Sequence, residues 1–174
     1  MVELLRYPTE ADWAEVKRRA LVTVGKTAIT APTLEWKRRI LKARHSPIRY
    51  LQFSFYLKDI PYFASTHLVR HVHAQPYVKS QRNDRQSEYD RNAARQDAPV
   101  DMIFDVNADE LMTVASKRLY SKADPTTSGI VREMVTLVEP VCPEFKGLLV
   151  PPCVWQGGNC YEFNSCRRGH NEAG

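Results

Sequence analysis

Two periods of apolar residues alternate along the chain. Trp13, Val16, Ala20 and Val24 recur near one face of a helix, which is the 3.6-residue period of an amphipathic segment. Thr9 is placed to cap that helix, and Glu10 and Asp12 suit the positive end of its dipole, so a first helix is predicted over 10–24. A second is predicted after Thr33, with Trp36, Ile40 and Ala43 inward and Lys37, Arg38, Arg39 and Lys42 mostly toward water. Ser46-Pro47 ends or follows it. Between Arg49 and Leu57 the period becomes two. Leu51, Phe53, Phe55 and Leu57 alternate with Tyr50, Gln52, Ser54 and Tyr56, the pattern of a strand buried on one face.

Asp59 is then placed to cap a third helix, with Pro61 early in its first turn and Pro76 as its stop beyond Ala74. Residues 80–101 are polar and read either as an exposed helix or as a long loop, and long loops in compact domains are usually functional or disordered. Met102 to Val106 reads as a short strand. Asn107 caps a fourth helix with Leu111, Val114, Ala115 and Leu119 inward, and a fifth follows Thr126 or Thr127 with Ile130, Met134, Val135 and Val138 inward. From Pro140 the chain turns irregular, and the tail is expected to wrap the body.

Composition narrows the class. The 174 residues are 43% apolar and 26% charged, which suits one domain or one compact subunit of an oligomer and excludes a disordered or collagen-like chain. There is no run of eighteen apolar residues, so no transmembrane helix is predicted. The N-terminal MVELLRYPTEADW lacks a basic stretch followed by an apolar segment. The expected location is therefore cytoplasmic, with the four cysteines as reduced thiols. A net charge of +5 favours anionic partners such as nucleotides, phosphates or nucleic acid.

The densest candidate chemistry is THLVRHVHAQPYVKSQRNDR, Thr66 to Arg85. On a helix, His67, Arg70, His71 and Ala74 would share one stripe. Ser80 and Arg82 follow as donors for a phosphate. This set suits a planar, phosphorylated ligand. Two competing readings stand beside it. One is a solvated helix face with ion pairs worth little. The other is a metal on His67-x3-His71 with His73 near, which the lack of a neighbouring Asp or Glu argues against. In the tail, Cys153, Cys160 and Cys166, with Cys142 upstream and His170 downstream, are weak candidates for zinc. Their spacing is not the compact C-x2-C of zinc knuckles, and reduced or partly buried thiols are the favoured reading. Lys79, Arg82, Arg85, Arg91 and Arg95, interleaved with Tyr77 and Tyr89, suggest single-stranded nucleic acid. Asp84, Glu88, Asp90 and Asp97 cancel most of that charge, so a solvated face or a lid over a nucleotide pocket is favoured instead.

RHVHAQPYVKS resembles the signature of the flavin-dependent thymidylate synthases, Arg-His-Arg, seven residues, then Ser. Arg70, His71 and Ser80 match it, and Val72 stands in place of the second Arg. HSPIRYLQFSFYLKDIPYFASTHLVRH is similar to the turn, strand and helix that precede the signature, Ser80 to Arg82 to its Ser-x-Arg, and VNADELMTVASKRL to a later helix that opens with Asn and ends with Arg. The resemblance spans roughly 20–138. It implies an α+β subunit, a mainly antiparallel sheet packed with helices, over 1–140; the residues beyond, 141–174, read as the irregular Cys-containing tail. It implies FAD as cofactor, conversion of dUMP to dTMP with methylenetetrahydrofolate and NADPH, and a homotetramer with sites built between subunits. By motif match, His45, Arg70, His71, Asn107 and Thr23 would contact FAD. Ser80, Arg82, Arg118 and His67 would hold dUMP, with Arg118 and Ser80 nearest the chemistry. The departures are Val72, Val78, Asp109 and His67, each a change of charge or donor type. They leave open a diverged relative acting on another pyrimidine nucleotide, for example by C5 hydroxymethylation, or a non-catalytic nucleotide- or nucleic-acid-binding protein.

Overall fold

The computed structural model describes residues 1–27, 30–82, 84 and 90–160. Along the chain run β1 (Val2–Arg6), α1 (Glu10–Val22), α2 (Leu34–Lys42), a 3-10 turn (Ser46–Tyr50), β2 (Gln52–Pro61), α3 (Tyr62–Leu68), β3 (Ala74–Val78), β4 (Pro99–Asn107), α4 (Ala108–Arg118), α5 (Pro125–Val141) and a short α6 (Pro152–Trp155). The four strands form one antiparallel sheet in the order β1-β2-β4-β3. This is the α+β architecture expected. The inward faces of β2 and β4 supply Phe53, Phe55, Leu57, Met102, Phe104 and Val106 to a core that also takes Trp13 and Val16 from α1, Leu111, Val114 and Ala115 from α4, and Ile130, Met134 and Val138 from α5.

Local signals fixed most helix starts. Thr9 forms a reciprocal capping box with Asp12 on α1, and the Thr33 hydroxyl accepts from the Trp36 amide at the start of α2. Asn107 accepts from the Glu110 amide at 3.0 Å and so sets the first turn of α4. Asp124, rather than a threonine, caps α5 through the Thr127 amide at 2.7 Å. The first helix stops two residues short of the expected end, and α5 carries Pro140 within its last turn.

The third helix departs from expectation. Asp59 does not cap it. With φ of 51°, Asp59 lies at a bulge in β2 where the register with β4 shifts between Leu57 and Ile60, and its amide donates to Asp101 at 3.0 Å. The strand therefore continues to Pro61. The helix is only Tyr62–Leu68, and its first amides donate to the carbonyls of Ala98 and Gln96. Ala74–Val78 is a strand, not helix. Pro76 lacks an amide proton, which a sheet edge tolerates, and β3 is an edge. The expected stripe of His67, Arg70, His71 and Ala74 on one helix face is thus corrected: only His67 of the four is in the helix. β1 had no counterpart in the sequence reading.

Lys37 was expected to face water and is instead buried, with its ammonium on Glu10 and 5.3 Å from the Trp13 ring. Arg38 donates to the carbonyls of Pro143, Glu144 and Lys146 and so fastens the segment after α5 to α2. Phe145 of that segment is fully buried and meets Phe53 edge to face at 5.3 Å. Phe145→Ala should lower the unfolding free energy by about 3–5 kcal/mol. Denaturant melts read it directly; a loss near zero would mean the segment does not belong to the core.

Candidate functional site

The end of α3, the turn to β3 and the length of α4 meet at one cleft. Ala74 is in register with Val106, so the turn before β3 lies across the first turns of the helix that follows β4. Two tight bonds, the His71 amide to the Leu68 carbonyl and the Ala74 amide to the His71 carbonyl, shape that turn. The His71 side chain is 7% exposed and points inward between two residues of α4. Its Nδ1 is 2.9 Å from Glu110 Oε1, and its Nε2 is 3.2 Å from Arg118 Nε.

Those distances define the protonation state. An arginine Nε–H can only donate, so His71 Nε2 accepts. The ring proton then lies on Nδ1 and is donated to Glu110. The imidazole is neutral. Burial pushes its pKa below the ordinary histidine value, and Arg118 adds to that, against the opposing pull of Glu110. Burial also lowers the pKa of Arg118, with Arg70 contributing. Arg118 donates a second bond, from Nη2, to the His67 carbonyl. Among the described residues no carboxylate pairs with it.

Arg49, Arg70, Val72, His73, Lys117 and Arg118 line this cleft of about 590 Å³, beside Asp109 and Glu110. Glu110 is behind His71. Asp109 is held at 2.7 Å by Arg44 and at 3.1 Å by Arg49, and Arg44 also reaches the Thr113 hydroxyl at 2.7 Å. The acidic residue at this departure from the signature is therefore paired, and the wall stays cationic. Val72, 83% exposed, gives it an apolar edge.

The other expected site residues lie elsewhere on the chain. Thr23 and His45 line a second, more apolar cavity of about 360 Å³ with Trp36, Arg39 and Ile40, between α1, α2 and the following turn. The Thr23 hydroxyl donates to the Ala20 carbonyl at 2.8 Å. Arg82 lines a third groove with Tyr62, Lys79 and Arg91, and is paired with Asp84 at 2.7 Å. Ser80 accepts from the Arg82 amide at 3.3 Å. His67 Nδ1 is 3.2 Å from the Thr127 hydroxyl, while Asn107 caps α4. Arg70, His71 and Arg118 are thus brought together at this cleft, with the His67 backbone carbonyl bonded to Arg118, while Thr23 and His45 share the second cavity and Ser80 and Arg82 lie apart from both.

Sequence reasoning missed Glu110, Arg49 and Lys117, and considered His73 only as a neighbour of a possible metal pair. Glu110 is 39 positions from His71, so no local pattern joins them; the cap at Asn107 was the available signal, since it fixes which face of α4 Glu110 and Arg118 share. Of the cysteines, Cys142 and Cys153 are buried and Cys160 is half-buried. Among the described residues no group of three His, Cys, Asp or Glu side chains could hold a metal ion. Cys166, His170, Arg85, Glu88 and Tyr89 lie outside the described residues. No described helix is long and apolar enough to cross a membrane.

The class that this architecture defines is that of the flavin-dependent thymidylate synthase fold. Thymidylate synthase X (ThyX) from Helicobacter pylori, crystallised with FAD and dUMP, superposes with a TM-score of 0.67 at 15% identity, over 85% of this chain and 96% of its own. A UMP/dUMP methylase, PolB from Streptomyces cacaoi, bound with 5-Br dUMP, gives a TM-score of 0.65 at 17% identity, over 87% of this chain and 97% of its own. No family model matches the sequence, and no curated protein is similar to it by sequence. The likeness is one of fold.

Two measurements check the geometry. His71 is neutral when folded but free to protonate when unfolded. Below the ordinary value of 6.5 the unfolded chain takes up more protons. Stability therefore falls as pH drops through that value and levels off once the folded ring also protonates. The difference in Tm between about pH 7.5 and pH 5.5 should shrink in His71→Gln; an unchanged difference would contradict a buried neutral ring. Separately, burial first and then Glu144 push the Cys142 thiol up to about 12. It should resist alkylation at about pH 8 in the folded protein and react after denaturation, as peptide mapping would read.

Proposed function

We propose that the chain is an enzyme that binds dUMP or a closely related pyrimidine nucleotide in the basic cleft and adds a one-carbon unit to C5. The observation that carries this reading is Arg118, a guanidinium oriented by a neutral imidazole and paired with no described carboxylate, in a cationic cleft of this fold. Such a group stabilises negative charge developing on a uracil carbonyl oxygen, which makes C5 a better carbon nucleophile. The neighbours crystallised with dUMP and 5-Br dUMP support the substrate class.

In its specific form the reaction is methylation of dUMP to dTMP. The methylene carbon of methylenetetrahydrofolate bonds to C5, the C5 proton leaves to water, and the bond from that carbon to the folate nitrogen breaks to release tetrahydrofolate. Bound FAD, re-reduced by NADPH, would supply the hydride that brings the carbon to the methyl level. The cavity with Thr23, His45 and Trp36 has the apolar walls and polar edge that a flavin ring needs, with Arg39 for its anionic part. Arg118 orients the uracil. Arg70 and Lys117 offer charge to the phosphate, and Ser80 and Arg82 do so from their separate groove. Because these groups are dispersed on one chain, a homotetramer that brings copies together completes the site. Both nitrogens of His71 are engaged within the chain, so its part is to position Arg118.

The purified protein should retain a visible flavin band after soaking with FAD and desalting, and should convert dUMP in the presence of methylenetetrahydrofolate and NADPH. Product mass separates a methyl from a hydroxymethyl group. Arg118→Ala should lower turnover about 100-fold or more while melting like the parent. A colourless protein, or normal turnover in Arg118→Ala, overturns this assignment.

A further inference from the structure

Glu110 is a buried carboxylate, 6% exposed. The partner of its side chain among the described residues is not a cation but the neutral ring of His71. Burying a carboxylate against a neutral donor is costly, and the helix does not require it. Asn107 caps α4 through a backbone amide that any residue but proline at position 110 would provide. The carboxylate therefore calls for a reason beyond folding.

We propose that Glu110 is a positioning residue that selects the His71 tautomer and, through it, aims Arg118 into the cleft. This rests on reading the cleft as the nucleotide site. A carboxylate can only accept, so it holds the ring proton on Nδ1 and leaves the Nε2 lone pair toward Arg118. The other tautomer would set Nε2–H against Arg118 Nε–H, donor against donor, and the guanidinium would leave its seat. An amide in place of Glu110 can face the ring with its oxygen or its nitrogen, so it admits both tautomers. An apolar residue leaves Nδ1–H buried without an acceptor. The charge is also well placed. It lies one imidazole behind Arg118, so it does not occupy the side of the guanidinium that faces a ligand. The charged groups that act on the ring are Glu110 and Arg118 from α4; Arg70 of the adjoining turn acts on Arg118, Arg49, His73, Lys117 and Tyr120 line the same cleft, and Asp109 is held by Arg44 and Arg49.

The test uses the full chain, with dUMP as the probe in calorimetric titrations, and Glu110→Leu, Glu110→Gln, Arg118→Ala and the Glu110→Leu/Arg118→Ala double variant. Glu110→Leu should weaken dUMP binding about 10-fold, and Glu110→Gln should fall between it and the parent. Removal of a desolvated carboxylate offsets the unpaired Nδ1–H, so Tm should stay within about 4 °C. In the Arg118→Ala background, Glu110→Leu should add no further loss, because the effect passes through Arg118. Unchanged binding in Glu110→Leu, or a loss that persists without Arg118, overturns the proposal. A ligand-free readout separates this from the nucleotide assignment. The Arg118 Nε–H resonance should exchange slowly with water in the parent and rapidly in Glu110→Leu. That change in a protein that fails to bind dUMP would retain the positioning role and reject the nucleotide; its absence would reject the positioning role whatever the cleft binds.

Discussion

The pairing of β4 on both its edges is the constraint from which the site follows. β4 lies between β2 and β3, and its last residues feed α4. The register that sets Ala74 opposite Val106 puts the turn carrying Arg70 and His71 directly over the first turns of α4. A slip of one residue would turn every side chain of β3 to the other face and carry the turn away with it. The buried faces of the sheet specify that register strongly, since Val100, Met102, Phe104 and Val106 all point into the core. Core packing thus sets the distance between His71 and the helix it touches, and a hydrophobic pattern ends up controlling the position of a guanidinium.

Electrostatics completes what packing begins. The cleft wall contains carboxylates as well as cations, yet each carboxylate is occupied: Asp109 by Arg44 and Arg49, Glu110 by His71. Arg44 adopts φ of 51° at the end of α2, and its reach to Asp109 ties the turn that leads into the His45 cavity to the start of α4. Arg44 thus links the segment beside one cavity, between Ala43 and His45, to Asp109 on the wall of the other.

How much of this was visible in the chain depends on range. The alternation of Leu51, Phe53, Phe55 and Leu57 marked β2, and caps at Thr9, Thr33 and Asn107 marked three helices, because those signals act over a few residues. β1 was missed because VELLR breaks its alternation at Leu5 and is stabilised by pairing with β2 rather than by its own pattern. β3 was missed because Pro76 reads as a helix stop, and only the sheet order shows it to be an edge position where proline is harmless. The same error placed His67, Arg70 and His71 on one helix face. The motif did pick out residues that the fold brings together, since Arg70, His71 and Arg118 converge on one cleft. What it did not contain was Glu110, whose partner is far away in sequence, or the pairing that neutralises Asp109.

The central claim is that a neutral His71, protonated on Nδ1, holds Arg118 in place. Nitrogen-15 NMR of the histidine-labelled protein at neutral pH tests it most directly, with His71→Gln to assign the signal. The account predicts a protonated Nδ1 and an unprotonated Nε2 for that ring. A ring protonated on Nε2, or on both nitrogens, would contradict it.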